Sequence, residues 1–156
     1  MSLPALARTE NPLAGGLLIA DAADPAVFQA IYQALDASSV PVIGPAAPRP
    51  LVIPLRDDAG TVAGGFWGCT MFEWLQVQLL FVPECLRGRG IGAALMGLAE
   101  AEAQARGCRG AQVDTFSFQA GPFYRKLGFT QFAALADCPP GHARIYFCKR
   151  FGAAAA

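Results

Sequence analysis

Apolar residues along this chain recur with two different periods, and the changes of period divide it into elements. Phe28, Ile31 and Leu35 fall at i, i+3 and i+7 with Gln29, Gln33 and Asp36 between them, after Asp24-Pro25, a capping residue followed by proline at the first helical position. This predicts a helix over about 25–37. Leu17-Leu18-Ile19 is a short strand candidate ahead of it, and residues 1–14, with Pro4 and Pro12, read as a loose leader. Pro41, Pro45, Pro48 and Pro50 then predict an extended loop, of the kind that often walls a binding site.

Period two takes over next. Leu51 to Arg56, the turn Asp57-Asp58-Ala59-Gly60 and Thr61 to Met71 read as a hairpin, with Gly64-Gly65 and Gly68 marking a bulge in its second strand. Trp74 to Val82 continues the meander. Regular pleating would put Trp74, Gln76, Gln78, Leu80 and Val82 on one face and Leu75, Val77, Leu79 and Phe81 on the other, so two glutamines would share a face with two aliphatics beside a wet pocket. Ile91, Leu95, Leu98 and the alanines mark a helix to about Arg106, closed by Gly107, with Glu102 and Arg106 one turn apart on its exposed side. Ala111 to Phe116 is a strand that a right-handed crossover makes parallel to the Leu79–Val82 strand. A short helix over Ser117–Leu127 and strands at Phe129–Leu135 and Ala143–Arg150 complete the chain. Residues 15–150 thus read as a single domain, with 151–156 as a flexible tail.

Composition narrows the class. The 156 residues are 54% hydrophobic and 15% charged, too apolar for disorder and too interrupted for a membrane span. Twelve basic residues balance twelve acidic ones, which disfavours nucleic acid as the main partner. The N-terminus has no basic start ahead of an apolar block, so the cytoplasm is the default location. The five cysteines show no CxxC or His-paired spacing, which fits reduced thiols and gives no metal site. Cys85 precedes a Gly-rich turn, but the only histidine, His142, is far along the chain, and no base for a cysteine nucleophile is evident. His142 itself suits a turn or hydrogen-bonding role better than a base. The apolar excess is compatible with a homodimer, which no motif specifies.

That Gly-rich turn carries the chemistry. Leu79-Leu80-Phe81-Val82 leads through Pro83 into Arg87-Gly88-Arg89-Gly90-Ile91-Gly92 and then a helix. A helix start leaves about four amides without intrahelical partners and roughly half a positive charge. Gly88, Arg89 and Gly90 offer no side-chain acceptor to cap it, so the amides stay available for an anion such as phosphate, beside two guanidinium groups.

These residues resemble the acyl-CoA-binding signature of the GNAT N-acetyltransferases: Gln or Arg, two residues, Gly, one residue, Gly or Ala. Ser117-Phe118-Gln119-Ala120 leading to Phe123-Tyr124-Arg125-Lys126-Leu127-Gly128-Phe129 is similar to a second run of that family, and Pro140-Gly141-His142 before a final strand recurs in some members. The resemblance covers roughly residues 50–150. It implies an α+β fold with a mixed, mostly antiparallel sheet of six to seven strands, splayed between the Leu79–Val82 and Val113 strands, with helices on both faces. It further implies an acetyl-CoA-dependent transfer to a primary amine, on a small molecule or a peptide. The diphosphate would sit on Arg87, Gly88, Arg89, Gly90, Ile91 and Gly92, the pantetheine arm along Leu80, Phe81 and Val82, and Ser117 would contact the same co-substrate. Tyr124 resembles the family's general acid, a phenol that holds its proton at neutral pH.

The base departs from the pattern. Some members carry a glutamate eleven residues before the signature, and here that position is Gln76. An alkylammonium acceptor is only about one part in 2,500 free amine at pH 7, equivalent to roughly 4.6 kcal/mol without assistance. Water held by Gln76 and Gln78, a reach by Glu73 or Glu84, or a less basic amine would each meet that need, and the water route is the one expected. Two other readings compete: a non-catalytic acyl-CoA-binding module, favoured by Gln76, and a dinucleotide site using Gly88-x-Gly90-x-x-Ala93 with Asp114 on the ribose.

Overall fold

The computed structural model describes residues 19–152, which form two compact units divided between Pro45 and Ala46. In the first, helix α1 (Pro25–Ile43) begins as expected: the Asp24 carboxylate accepts from the Ala26 amide at 2.8 Å, and proline opens the first turn. It continues six residues past the predicted end and takes in Pro41. A proline this close to the C-terminus deprives only one carbonyl of its donor, and Gly44, at φ 74°, closes the helix by donating to the Val40 carbonyl. The expected extended loop therefore shrinks to residues 44–48. Of the strand candidate at Leu17-Leu18-Ile19, the first two residues lie outside the described ones and Ile19 is in no strand.

The second unit holds a six-stranded sheet in the order β1-β2-β3-β4-β6-β5, built from Arg49–Arg56, Val62–Met71, Trp74–Phe81, Gly110–Phe116, Thr130–Ala136 and Ala143–Arg150 in chain order. All neighbours are antiparallel except β3 and β4. One parallel pair is too few for a doubly wound dinucleotide fold, which removes that reading. Pro50 and Pro54 are tolerated in β1 because it is an edge strand, paired only with β2. Helix α2 (Ile91–Ala105) buries Leu95, Met96, Ala99 and Ala103 against Leu51, Phe66, Leu75 and Val77. The short helix α3 (Gly121–Lys126) starts four residues later than expected, with Pro122 in its first turn. Ahead of it the Gln119 side chain accepts from the Phe116 amide at 3.2 Å and the Ala120 amide donates to Thr115 Oγ1 at 3.4 Å, which holds that stretch as a turn. No helix among the described residues is long and apolar enough to cross a membrane.

The pleat of β3 is not regular. Trp67 pairs with Leu79 and Gly68 with Val77, so Gln78 is an extra residue with no partner on β2. A bulge of this kind reverses the alternation beyond it. Leu80 and Val82 consequently pack on the core with Leu75 and Val77, while Leu79 and Phe81 are exposed. This corrects the face assignment made from strict period two and separates the glutamines from the aliphatics. Gly68 is required beside the bulge, since a Cβ there would lie 2.3 Å from the Gln76 carbonyl oxygen.

Candidate active site

The β3–β4 ladder is four residues long, from Trp74↔Gly110 to Val77↔Val113. It stops at the bulged Gln78, while β4, paired with β6 from its first residue, stays paired with it as far as Phe116. The sheet forks there, and the β4-facing edge of β3 from Gln78 to Phe81 has no strand beside it. The fork lies where the family resemblance implies it. Val82 falls just beyond the strand end and Pro83 leads into a 3-10 turn over Glu84–Leu86.

Past that turn, Gly88 and Gly90 adopt φ of 74° and 77°, in the left-handed region that glycine enters without strain. Gly90 is the N-cap of α2 and supplies no side-chain bond. The first intrahelical bond of α2 runs from the Ala94 amide to the Gly90 carbonyl at 2.9 Å, so the amides of Ile91, Gly92 and Ala93 point out of the helix start. The Arg87 amide differs from its expected use, because it donates to the Glu84 carbonyl at 3.1 Å. The Arg87 side chain is also engaged: Nε donates to the Val82 carbonyl at 3.1 Å, and the guanidinium lies 6.0 Å from the centre of the Phe81 ring. Arg89 is exposed. Gly92 sits under Phe123, whose ring atoms would be 3.3 Å from a Cβ at that position, and this contact joins the start of α2 to α3.

Tyr124 lies on the core side of the fork. Its ring is only 4% exposed and touches Phe123, Phe129 and Phe147, with centroids 5.2, 5.7 and 6.2 Å away. Burial foremost, and the negative charge of Asp114 second, push its phenol up to about 12, so it stays protonated at neutral pH. On the opposite side, Gln76, Gln78, Gln112, Asp114, Phe132, Arg144 and Tyr146 line a cavity of about 340 Å³. A neighbouring cavity of about 360 Å³ shares Gln76, Gln112 and Phe132 and adds Trp74, Phe72 and Cys148. Asp114 Oδ2 accepts from Arg144 Nε at 2.6 Å, and this partner raises the pKa of Arg144.

The remaining candidates fall elsewhere. The Ser117 hydroxyl accepts from the Ala143 amide at 3.1 Å and the Ser117 amide donates to the Ala143 carbonyl at 2.8 Å, a clasp between the end of β4 and the start of β6. Glu73 occupies the β2–β3 turn at φ 60°, at the end of the sheet away from the fork, and pairs with Arg109. Glu84 belongs to the 3-10 turn before the Gly-rich loop. His142 donates its amide to the Pro139 carbonyl, accepts from the Cys138 amide and stacks edge-on with Phe118 at 4.7 Å, a turn-forming role. All five cysteines are free thiols. Among the described residues no group of three or more His, Cys, Asp or Glu could hold a metal ion.

The cavity residue that reading the sequence did not place there is Asp114, considered only for a ribose. Its alternation with Val113 and Thr115 already set it on the polar face of β4. What it faces depends on where the sheet opens, which no local pattern encodes.

Comparison with known proteins agrees with this geometry. A family model described as an acetyltransferase (GNAT) domain matches residues 51–131. The chain is 40% identical over 134 residues to the acetyltransferase Atu2258 of Agrobacterium fabrum, covering 86% of this chain and 98% of that one. It is 44% identical over 85 residues to the blasticidin-S acetyltransferase of Streptomyces morookaense, covering 54% and 62%. A crystal structure of an acetyltransferase from Agrobacterium tumefaciens superposes with a TM-score of 0.82 at 40% identity, covering 87% of this chain and 99% of that one. An uncapped helix start beside a forked sheet, with these relatives, makes the chain a member of the GNAT acetyltransferase family and a GNAT-type acyltransferase.

Proposed function

We propose that the protein transfers an acetyl group from acetyl-CoA directly to a primary amine carried by a small molecule. The observation that carries this reading is the open edge of β3 ending at a helix N-terminus whose amides have no side-chain cap. The amides from Gly88 to Gly92, with Arg87 and Arg89, suit a diphosphate, because donors and positive charge converge without a competing carboxylate cap. The edge from Leu80 to Val82 suits the amide-bearing pantetheine arm, which would hydrogen-bond there as an added strand does. Ser117 keeps a hydroxyl donor for the same co-substrate. A small-molecule acceptor is supported by the blasticidin-S acetyltransferase among the relatives.

In this reading the acceptor nitrogen comes from the cavity on the glutamine face and attacks the thioester carbonyl at the fork. Gln76 and Gln78 hold water that carries off the amine's proton, since neither amide can take it. Tyr124 gives its proton to the departing sulfur, for which a phenol held at about 12 is an available donor but a reluctant anion. The test is calorimetric titration with acetyl-CoA, followed by thiol release with blasticidin S, 2-phenylethylamine and a lysine peptide. Uptake of acetyl-CoA and transfer to one of the small amines are expected. Tyr124→Phe should lower turnover by about 10²-fold or more with acetyl-CoA affinity nearly intact. No acetyl-CoA uptake, or transfer to the peptide alone, would overturn the reading, and an unchanged rate in the variant would remove Tyr124 from it.

A further inference from the structure

Continuing the β3–β4 register past its last pair, Val77↔Val113, brings Gln78 opposite Asp114. They are the first residues to part at the fork, and both line the 340 Å³ cavity. Among the residues lining that cavity Asp114 is the only carboxylate. Its side chain is 34% exposed, one oxygen is fixed by Arg144, and Oδ1 has no partner among the described residues. The same cavity has Phe132 and Tyr146 in its wall, apolar surface for the body of a ligand.

From this juxtaposition we infer that Asp114 is the docking carboxylate for the acceptor, so that the acceptor class is an amine carried as a cation at neutral pH, with an apolar body against Phe132 and Tyr146. The assignment rests on the acceptor side of the function proposed above. Arg144 shapes its size: a guanidinium on Oδ2 cancels part of the field, so Asp114 selects charge by a directed hydrogen bond at Oδ1 and is no general trap for cations. A hydrogen bond between charged groups gives about ten- to a hundredfold discrimination, and the partial cancellation sets the expectation at about tenfold.

The experiment compares 2-phenylethylammonium with its neutral isostere 2-phenylethanol, titrated into the free protein and into protein saturated with coenzyme A. The wild type should prefer the cation about tenfold. Asp114→Asn should bring the two ligands to equal affinity, while Asp114→Glu should retain part of the preference. A loss of both ligands in Asp114→Asn, or the same preference in variant and wild type, overturns the inference, as does a wild type that binds the alcohol as well as the cation. Because one arm uses free protein, failure of acetyl-CoA uptake would strike the proposed reaction and leave this comparison readable.

Discussion

Tyr124 shows how one side chain can look the same in sequence and act differently by position. Its phenol is buried among three aromatic rings and its pKa is raised to about 12. The folded state therefore holds the proton more tightly than an unfolded chain, where a tyrosine ionises near 10. A raised value adds stability that is complete below pH 10 and is lost as the pH climbs through 12. Denaturant midpoints measured at pH 9 and pH 11.5 should fall more for the wild type than for Tyr124→Phe, and equal falls would show the phenol free to ionise in place. That Tyr124 is the candidate acid was read from its motif's resemblance to the family. Its burial was not, because Phe147, one of the rings around it, comes from a strand more than twenty residues later in the chain.

At the scale of elements, the Gly-rich turn behaved as its sequence promised and the strand before it did not. The left-handed φ of Gly90 and its missing cap follow from the local residues alone. Nothing lies within 4 Å of a Cβ built on Gly90, so backbone conformation is the only obstacle to a side chain there. Gly90→Ala should cost about 1–2 kcal/mol in stability, seen as a lower thermal midpoint, and weaken acetyl-CoA binding, with Gly90→Asn costing less. An alanine variant as stable as the wild type would show that the turn has another conformation of equal energy. The bulge beside Gly68 was half legible: the glycine marks it on β2, but the extra residue, Gln78, is on β3, a mismatch between two strands that β3 itself does not announce. Proline at the end of α1 misled in a third way, since the helix needed only one carbonyl to go unserved for Pro41 to be accommodated.

Across the second unit, the sheet is two three-stranded leaves, β1-β2-β3 and β4-β6-β5, joined along four residue pairs. Amide exchange should follow this division. Within Gln78–Phe81 the amides turned away from β2 have no ladder partner, and they should exchange faster than their counterparts in Leu75–Val77. Acetyl-CoA should slow them, and an unaltered pattern on its addition would mean that the arm lies elsewhere. The place of the fork followed from the family resemblance alone, and the order of elements was readable from period, because a strand, a helix and a strand of those lengths allow few arrangements. Which polar residues meet at the mouth of the fork was not, because Asp114 and Arg144 are thirty positions apart and are joined only by the β4–β6 register.

The Arg87 guanidinium, resting on the Val82 carbonyl, bears on how the two halves of a long co-substrate are felt together. One side chain there serves the last carbonyl of the strand's extension and, in the function proposed above, the diphosphate at the helix start as well. An arm laid along the strand would release it just as a diphosphate arrives to receive it, so occupancy at one end lowers the cost of occupancy at the other. Fragments of the co-substrate supplied separately would forfeit that exchange, and the intact molecule would be preferred over the sum of its pieces.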